Sequence, residues 1–107
     1  MEEELAILNR LLEEYKTCYV GDTNRTFNMA FVNYVEVGSL LTIAKAVTLG
    51  AMRRKESRGS HLREDYAKRD DANFLNHTVI TLKEDGEYEV GQSEVVITRF
   101  EPKERTY

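Results

Sequence analysis

Three observations predict a mainly α fold: a small antiparallel helical bundle followed by a C-terminal β-hairpin and an extended tail. Apolar residues recur at helical spacing from Leu5 to Met52. Beyond a crowded ionic stretch, residues 77–83 take on the Thr-, Val- and Ile-rich composition of a strand. A Glu84-Asp85-Gly86 turn then lets the chain pair back on itself. At 107 residues the chain has the size of one domain, expected over 1–107, helical to about residue 76 and β or extended beyond it.

The first helix is expected over residues 2–17. Leu5, Leu8, Leu12 and Tyr15 fall at steps of three and four, and Glu2, Glu3 and Glu4 suit the positive end of the helix dipole. Gly21-Asp22-Thr23-Asn24 is a turn or loop. A second, longer helix is expected from an Asn28 N-cap to about Ser57, with Ala30, Tyr34, Val37, Leu41, Ala44, Val47 and Ala51 on one broad face. Phe27, Phe31, Val35, Leu40, Ile43 and Met52 widen that face, so the helix needs cover on more than one side. Gly38 marks a kink, a close helix crossing or, alternatively, the meeting of two separate helices. Gly59 suits the left-handed residue after the helix, with Arg53, Arg54 and Lys55 in the last turn. Asp70 or Asp71 then caps a short helix through residues 73–76. Strands are expected at 77–83, 87–90 and 95–100, before a polar tail from Glu101 to Tyr107.

Composition excludes several classes. The net charge of -4 comes from acids and bases spread along the chain, so the global field attracts neither nucleic acid nor an anionic membrane. No uninterrupted apolar run has the length of a membrane span, and residues 1–4 are acidic rather than the basic start of a signal peptide, so the chain reads as soluble and not exported by itself. Cys18, the single cysteine, excludes an internal disulfide and reads as a small half-buried hydrophobe. There is no GxGxxG, no GxxxxGK[ST] and no HExxH. The histidines His61 and His77, even with Glu64 and Asp65 nearby, lack the ligand spacing of a metal site.

The ionic stretch is the most informative feature. Arg53, Arg54, Lys55, Arg58, Arg63, Lys68 and Arg69 are interleaved with Glu56, Glu64, Asp65, Asp70 and Asp71. Alternating signs fit internal salt bridges or a complementary protein surface better than a polyanion track, so no nucleic-acid partner is expected. Residue types alone leave a self-paired loop and a docking surface both open.

The order of residues in Arg54-Lys55-Glu56-Ser57-Arg58-Gly59-Ser60-His61-Leu62-Arg63-Glu64-Asp65-Tyr66, running on to Lys68-Arg69-Asp70-Asp71, resembles the RxESRGxHxRxDYPxRDD signature in the C-terminal helical domain of succinate dehydrogenase and fumarate reductase flavoprotein subunits. Asp70-Asp71-Ala72-Asn73-Phe74-Leu75-Asn76-His77-Thr78 is similar to the family's RDDxNWLKHT segment, and Glu101-Pro102-Lys103-Glu104-Arg105-Thr106-Tyr107 to its PxxRxY terminus. The resemblance runs from Asn24 to Tyr107. L-aspartate oxidase shares the ESRGxH portion without this tail, which favours the succinate/fumarate branch. Ala67 stands where the family usually has proline and Phe74 where it has tryptophan, so the rigid turn and the indole hydrogen bond are not carried over.

The resemblance implies a non-catalytic structural or docking domain, packed against an FAD-binding domain in a parent subunit that interconverts succinate and fumarate. No catalytic, cofactor-binding or metal residue transfers to this chain. FAD belongs to the parent, and the chain itself is expected to bind no cofactor and to be inactive alone. Arg54, Arg58, His61, Arg63, Asp65 and Arg69 are the candidate interdomain contacts, since arginine's planar fork suits fixed carboxylate and carbonyl partners. Implied partners are the FAD-binding domain and, indirectly, iron-sulfur and membrane-anchor subunits. The implied location is cytoplasmic, with the parent complex peripheral at the inner face of the cell membrane. With Met1 just ahead of the first helix, the chain reads as a domain detached from that parent. Its uncovered apolar surface then predicts a homodimer or a longer-lived oligomer in isolation. A stand-alone helical adaptor with the same fold is the other reading.

Overall fold

The computed structural model describes residues 1–103. The elements run α1 (Glu2–Thr17), α2 (Met29–Arg53), α3 (Asp71–Phe74), β1 (Asn76–Leu82) and β2 (Tyr88–Glu94). The chain divides into two compact units, Met1–Leu49 and Gly50–Tyr107.

In the first unit, Leu5, Leu8, Leu11, Leu12 and Tyr15 are the half-buried side of α1, as their spacing requires. Tyr15 joins α1 to α2. Its hydroxyl donates to the Tyr34 carbonyl at 2.9 Å, and the two rings stack with centroids 4.7 Å apart. Gly38 lies directly beneath, where a Cβ would come within 2.5 Å of the Tyr15 hydroxyl oxygen. Gly38 therefore serves a close crossing. Neither a kink into two elements nor two separate helices is present, because α2 is continuous from Met29 to Arg53.

The loop between the helices organises the start of α2. The Asp22 carboxylate accepts from the Asn24 N–H at 2.9 Å, and the Asn28 amide donates to the carbonyls of Asp22 and Asn24 at 2.9 and 3.0 Å. Asn28 Oδ1 then accepts from the Phe31 N–H at 2.9 Å, the N-cap bond expected of it. Just before the cap, Phe27 holds φ 51°, a conformation rare for a bulky side chain.

α2 ends four residues earlier than its sequence pattern suggests, so Gly59 is not its terminal residue. Gly59 keeps a positive φ of 60°, in the tight turn that the Arg58–His61 bridge closes. α2 is also 25 residues long and, by length and composition only, apolar enough to cross a membrane. Reading for uninterrupted runs passed over it because Asn33, Glu36 and Lys45 break the run without ending the helix.

In the second unit, Asp70 caps α3, accepting from the Asn73 N–H at 3.1 Å. β1 and β2 form a two-stranded antiparallel sheet, with Asn76 opposite Glu94 and Leu82 opposite Tyr88. Lys83 and Glu87 close the hairpin at 2.9 Å, around Gly86 at φ 85°. Asn76, Thr78 and Ile80 are the half-buried side of β1, and Gly50 at the end of α2 packs 3.6 Å from the Thr78 methyl. The third strand expected at 95–100 is absent among the described residues, where that segment is irregular. Its pattern is apolar, yet it joins neither free edge of the two-stranded sheet. The expected tail falls partly outside the described residues, at 104–107.

Among the described residues no apolar side chain is fully buried. The one fully buried residue among those described is Glu56.

Candidate functional site

Glu56 lies three residues beyond α2, where the chain has left the helix and alternate residues turn toward the same carboxylate. Arg54 Nη1 donates to its Oε1 at 2.5 Å, and Arg58 grips both oxygens, Nε to Oε1 at 2.8 Å and Nη2 to Oε2 at 3.1 Å. The Asp70 N–H adds a fourth bond, to Oε2 at 2.8 Å. Burial alone would raise the Glu56 pKa. The Arg58 and Asp70 hydrogen bonds and the attraction of both guanidiniums outweigh it, and the carboxyl is held below its usual range.

The arginines carry the carboxylate's position outward. Arg54 also donates from Nε to the Thr78 hydroxyl at 3.0 Å, from Nη1 to the Phe74 carbonyl at 3.1 Å and from Nη2 to the Asn76 carbonyl. One side chain thereby ties the end of α2 to α3 and β1. Arg58 continues to Asp71 Oδ1 at 2.5 Å, and Arg69 takes both oxygens of Asp71 at 2.7 and 2.6 Å. Arg69 Nη1 reaches the Lys103 carbonyl at 2.8 Å. Gripped first by Arg69 and then by Arg58, the Asp71 carboxyl is lowered to about 2. The Arg58 guanidinium is raised above its ordinary value, Glu56 being the main cause.

Arg63 solves a different problem, the unpaired carbonyls at a helix C-terminus. Its Nη1 donates to the carbonyls of Met52 and Arg54 at 3.2 and 2.9 Å, and a positive group here also suits the negative end of the α2 dipole. Asp65 clamps the other edge of the guanidinium at 2.9 and 2.5 Å, and the Tyr66 ring lies 4.8 Å from it. Asp65 is lowered by that Arg63 bond. Ser57 pins the return of the loop, its hydroxyl accepting from the Arg63 N–H at 2.9 Å and donating to the Tyr66 carbonyl at 2.8 Å.

The structure thus gathers Arg54, Arg58, His61, Arg63, Asp65 and Arg69 into one loop. The five charged side chains find their partners within the unit, and His61 closes the turn through backbone bonds to Arg58 at 2.8 and 3.0 Å. Sequence reasoning passed over Glu56 as one of several interleaved acids. The usable signal was Arg54-x-Glu56-x-Arg58, which directs three side chains to one point once the chain is extended rather than helical. Cys18 was misjudged as half-buried; it is exposed, at the end of α1.

Among the described residues no group of three His, Cys, Asp or Glu side chains is placed to hold a metal. A flavin dinucleotide needs a glycine-rich strand-to-helix turn, whereas the hairpin turn here joins two antiparallel strands. These residues do not fit that group.

Long helices, an arginine loop pinned on a buried glutamate and a hairpin define a helical domain with a β extension. The chain belongs to the family described as fumarate reductase flavoprotein C-terminal, whose model matches residues 1–107. It is 48% identical over 99 residues to the 8-methylmenaquinol:fumarate reductase flavoprotein subunit of Wolinella succinogenes, covering 92% of this chain and 16% of that protein. It is 43% identical over 79 residues to the succinate dehydrogenase flavoprotein subunit of Coxiella burnetii, covering 74% of this chain and 14% of that one. Among solved structures, FrdA of an E. coli quinol fumarate reductase carrying a point mutation superposes with a TM-score of 0.91 at 35% identity, over 96% of this chain and 18% of its own. The chain therefore spans less than a fifth of the length of the proteins it matches.

Proposed function

We propose that this chain is the non-catalytic buttress of a fumarate reductase or succinate dehydrogenase flavoprotein, acting as one domain over 1–107 that docks onto the subunit's FAD-binding part. The parent subunit interconverts succinate and fumarate with FAD, which the upstream domain supplies; the residues of this chain contribute shape and stability. The observation that carries the reading is the distribution of burial. A Glu56-centred cage is buried while apolar residues from Met29 to Val47 stay exposed. A helix of that kind gains stability only when a partner covers it.

On this reading the antiparallel helical bundle is completed by the partner, because α1 meets α2 around Tyr15, Tyr34 and Gly38 while much of the apolar surface of α2 stays exposed. Arg54, Arg58, His61, Arg63, Asp65 and Arg69 serve the interface by holding the loop rigid, so that Leu62, 80% exposed at its tip, and the outer edge of Asp65 meet the neighbour preformed. Iron-sulfur and membrane-anchor subunits are indirect partners. The parent complex lies on the cytoplasmic side, peripheral to the membrane. In isolation the uncovered apolar surface draws two copies into a weak homodimer.

Reconstitution tests the reading. The chain is mixed with the separately expressed upstream part of the subunit, and complex formation is followed by calorimetry beside succinate-dependent dye reduction. Binding with restored or prolonged activity is expected. Absence of binding between two folded partners overturns the docking role and moves the stand-alone adaptor to the front.

A further inference from the structure

The exposed side of α2 identifies where docking occurs and what the partner must carry, an inference that rests on the docking role proposed above. Met29, Val32, Leu40, Ile43 and Val47 are between 43% and 66% exposed. With Glu36 they advance along the helix by three, four, four, three and four residues. That is an eleven-residue repeat, Met29 to Leu40, Val32 to Ile43 and Glu36 to Val47, and at about 3.67 residues per turn it keeps a straight stripe on one side of an unbent helix. Tyr34 and Gly38, which meet α1, lie on the opposite side, so α1 leaves the stripe uncovered.

A carboxylate stands in the middle of this stripe. Glu36 is exposed and has no hydrogen bond or ion pair among the described residues. Covering it with apolar surface alone would strip its hydration and return nothing. The covering surface must therefore supply a cation. A second copy of the stripe cannot, since its positions hold no Lys or Arg and it brings only another Glu36; Lys45 follows Gly38 by two turns and lies on the α1 side. The relatives extend well beyond the matched region, which makes the rest of the flavoprotein polypeptide the covering surface. We propose that the stripe over residues 29–47 is where α2 meets the remainder of the flavoprotein, and that Glu36 sets the register by pairing with a Lys or Arg on that partner.

The test uses the full-length flavoprotein subunit that contains this chain, with limited proteolysis and hydrogen-deuterium exchange as readouts of docking. Glu36→Lys and Ile43→Asp are each expected to shorten the proteolytic half-life of this domain about tenfold, and Glu36→Gln by a smaller factor together with loss of its salt dependence. Glu13→Lys, on α1 and outside the stripe, is the control and leaves the half-life within about twofold. Both replaced positions are exposed, and unchanged helical circular dichroism confirms that the variants fold. Wild-type half-lives for Glu36→Lys and Ile43→Asp overturn the inference. In that case Leu62→Asp separates the two levels: loosening of the domain by this loop variant leaves docking standing through another surface, and no effect from any of the three removes the docking role as well.

Discussion

Replacing Glu56 tests whether the ionic cage, rather than an apolar core, holds the second unit together. Its carboxylate accepts two bonds from Arg58, one from Arg54 and one from the Asp70 N–H, and it is fully buried. Glu56→Ala leaves the Arg54 guanidinium facing a void without its counter-charge and Arg58 with Asp71 alone, a change that costs about 3–5 kcal/mol where a buried pair is broken from one side. Glu56→Gln keeps the volume and one acceptor oxygen but turns an amide N–H₂ toward an arginine. Of four bonds to the carboxylate, two remain on the surviving oxygen and the amide N–H₂ faces the other two donors, a loss of about 3 kcal/mol. Set against total stabilities of about 5–15 kcal/mol for a domain, either change is large. Urea unfolding followed by circular dichroism reads the midpoint, and amide exchange at Asp70 reports the cage locally. The expected result is a fall of several kcal/mol, accompanied by loss of protection at Asp70. If Glu56→Gln shifts stability by under about 1 kcal/mol with protection retained, the cage is a surface decoration and the reasoning fails.

Acid should dissolve the same network. The carboxyls of Glu56, Asp65, Asp70 and Asp71 are all lowered in the folded chain, Asp71 to about 2. A lowered folded-state pKa contributes stability that is present above the unfolded value and is lost as pH falls through the folded one. Stability should therefore hold down to about pH 4.5 and decline toward pH 2, as measured by urea midpoints along that range; a flat profile refutes the assignment. Gly38→Ala brings a Cβ within 2.5 Å of the Tyr15 hydroxyl oxygen, so the ring must swing away from Tyr34. Loss of that stacking and hydrogen bond, about 1–2 kcal/mol, exceeds the helix-propensity gain of about 1 kcal/mol, and the net destabilisation should disappear in a Tyr15→Ala background but persist in Tyr15→Phe, whose ring carbons still lie 2.7 and 2.9 Å from the Cβ. Asn28→Ala removes the α2 N-cap and should cost about 1 kcal/mol, with fraying of residues 29–31 visible by amide exchange.

Local features were legible in the chain because their causes are local. The α1 boundaries follow from Leu5, Leu8, Leu12 and Tyr15, the α2 start from Asn28, the α3 cap from Asp70 and the hairpin from Glu84-Asp85-Gly86, each set by bonds or periodicity within a few residues. The motif at residues 54–71 was legible as a family signature for the same reason: its order survives without any knowledge of contacts. What those residues touch was not legible. Salt bridge and docking surface use the same side chains, and only the fold decides whether Arg58 finds Glu56 and Asp71 within the unit or reaches a neighbour. The end of α2 was misplaced because helical periodicity continues to Ser57, while Arg63, nine residues beyond Arg54, caps the carbonyls that end the helix earlier. The apolar segment 95–100 was read as a strand because composition records a residue's preference for burial but not whether the segment pairs with an edge. Sequence alone therefore determined α1, the start of α2, the short α3, the β1–β2 hairpin and which family the chain resembles. Tertiary structure decided that the buried centre is a glutamate and that the apolar face of α2 lies open, since burial depends on which surfaces meet, and no local pattern along a chain encodes that.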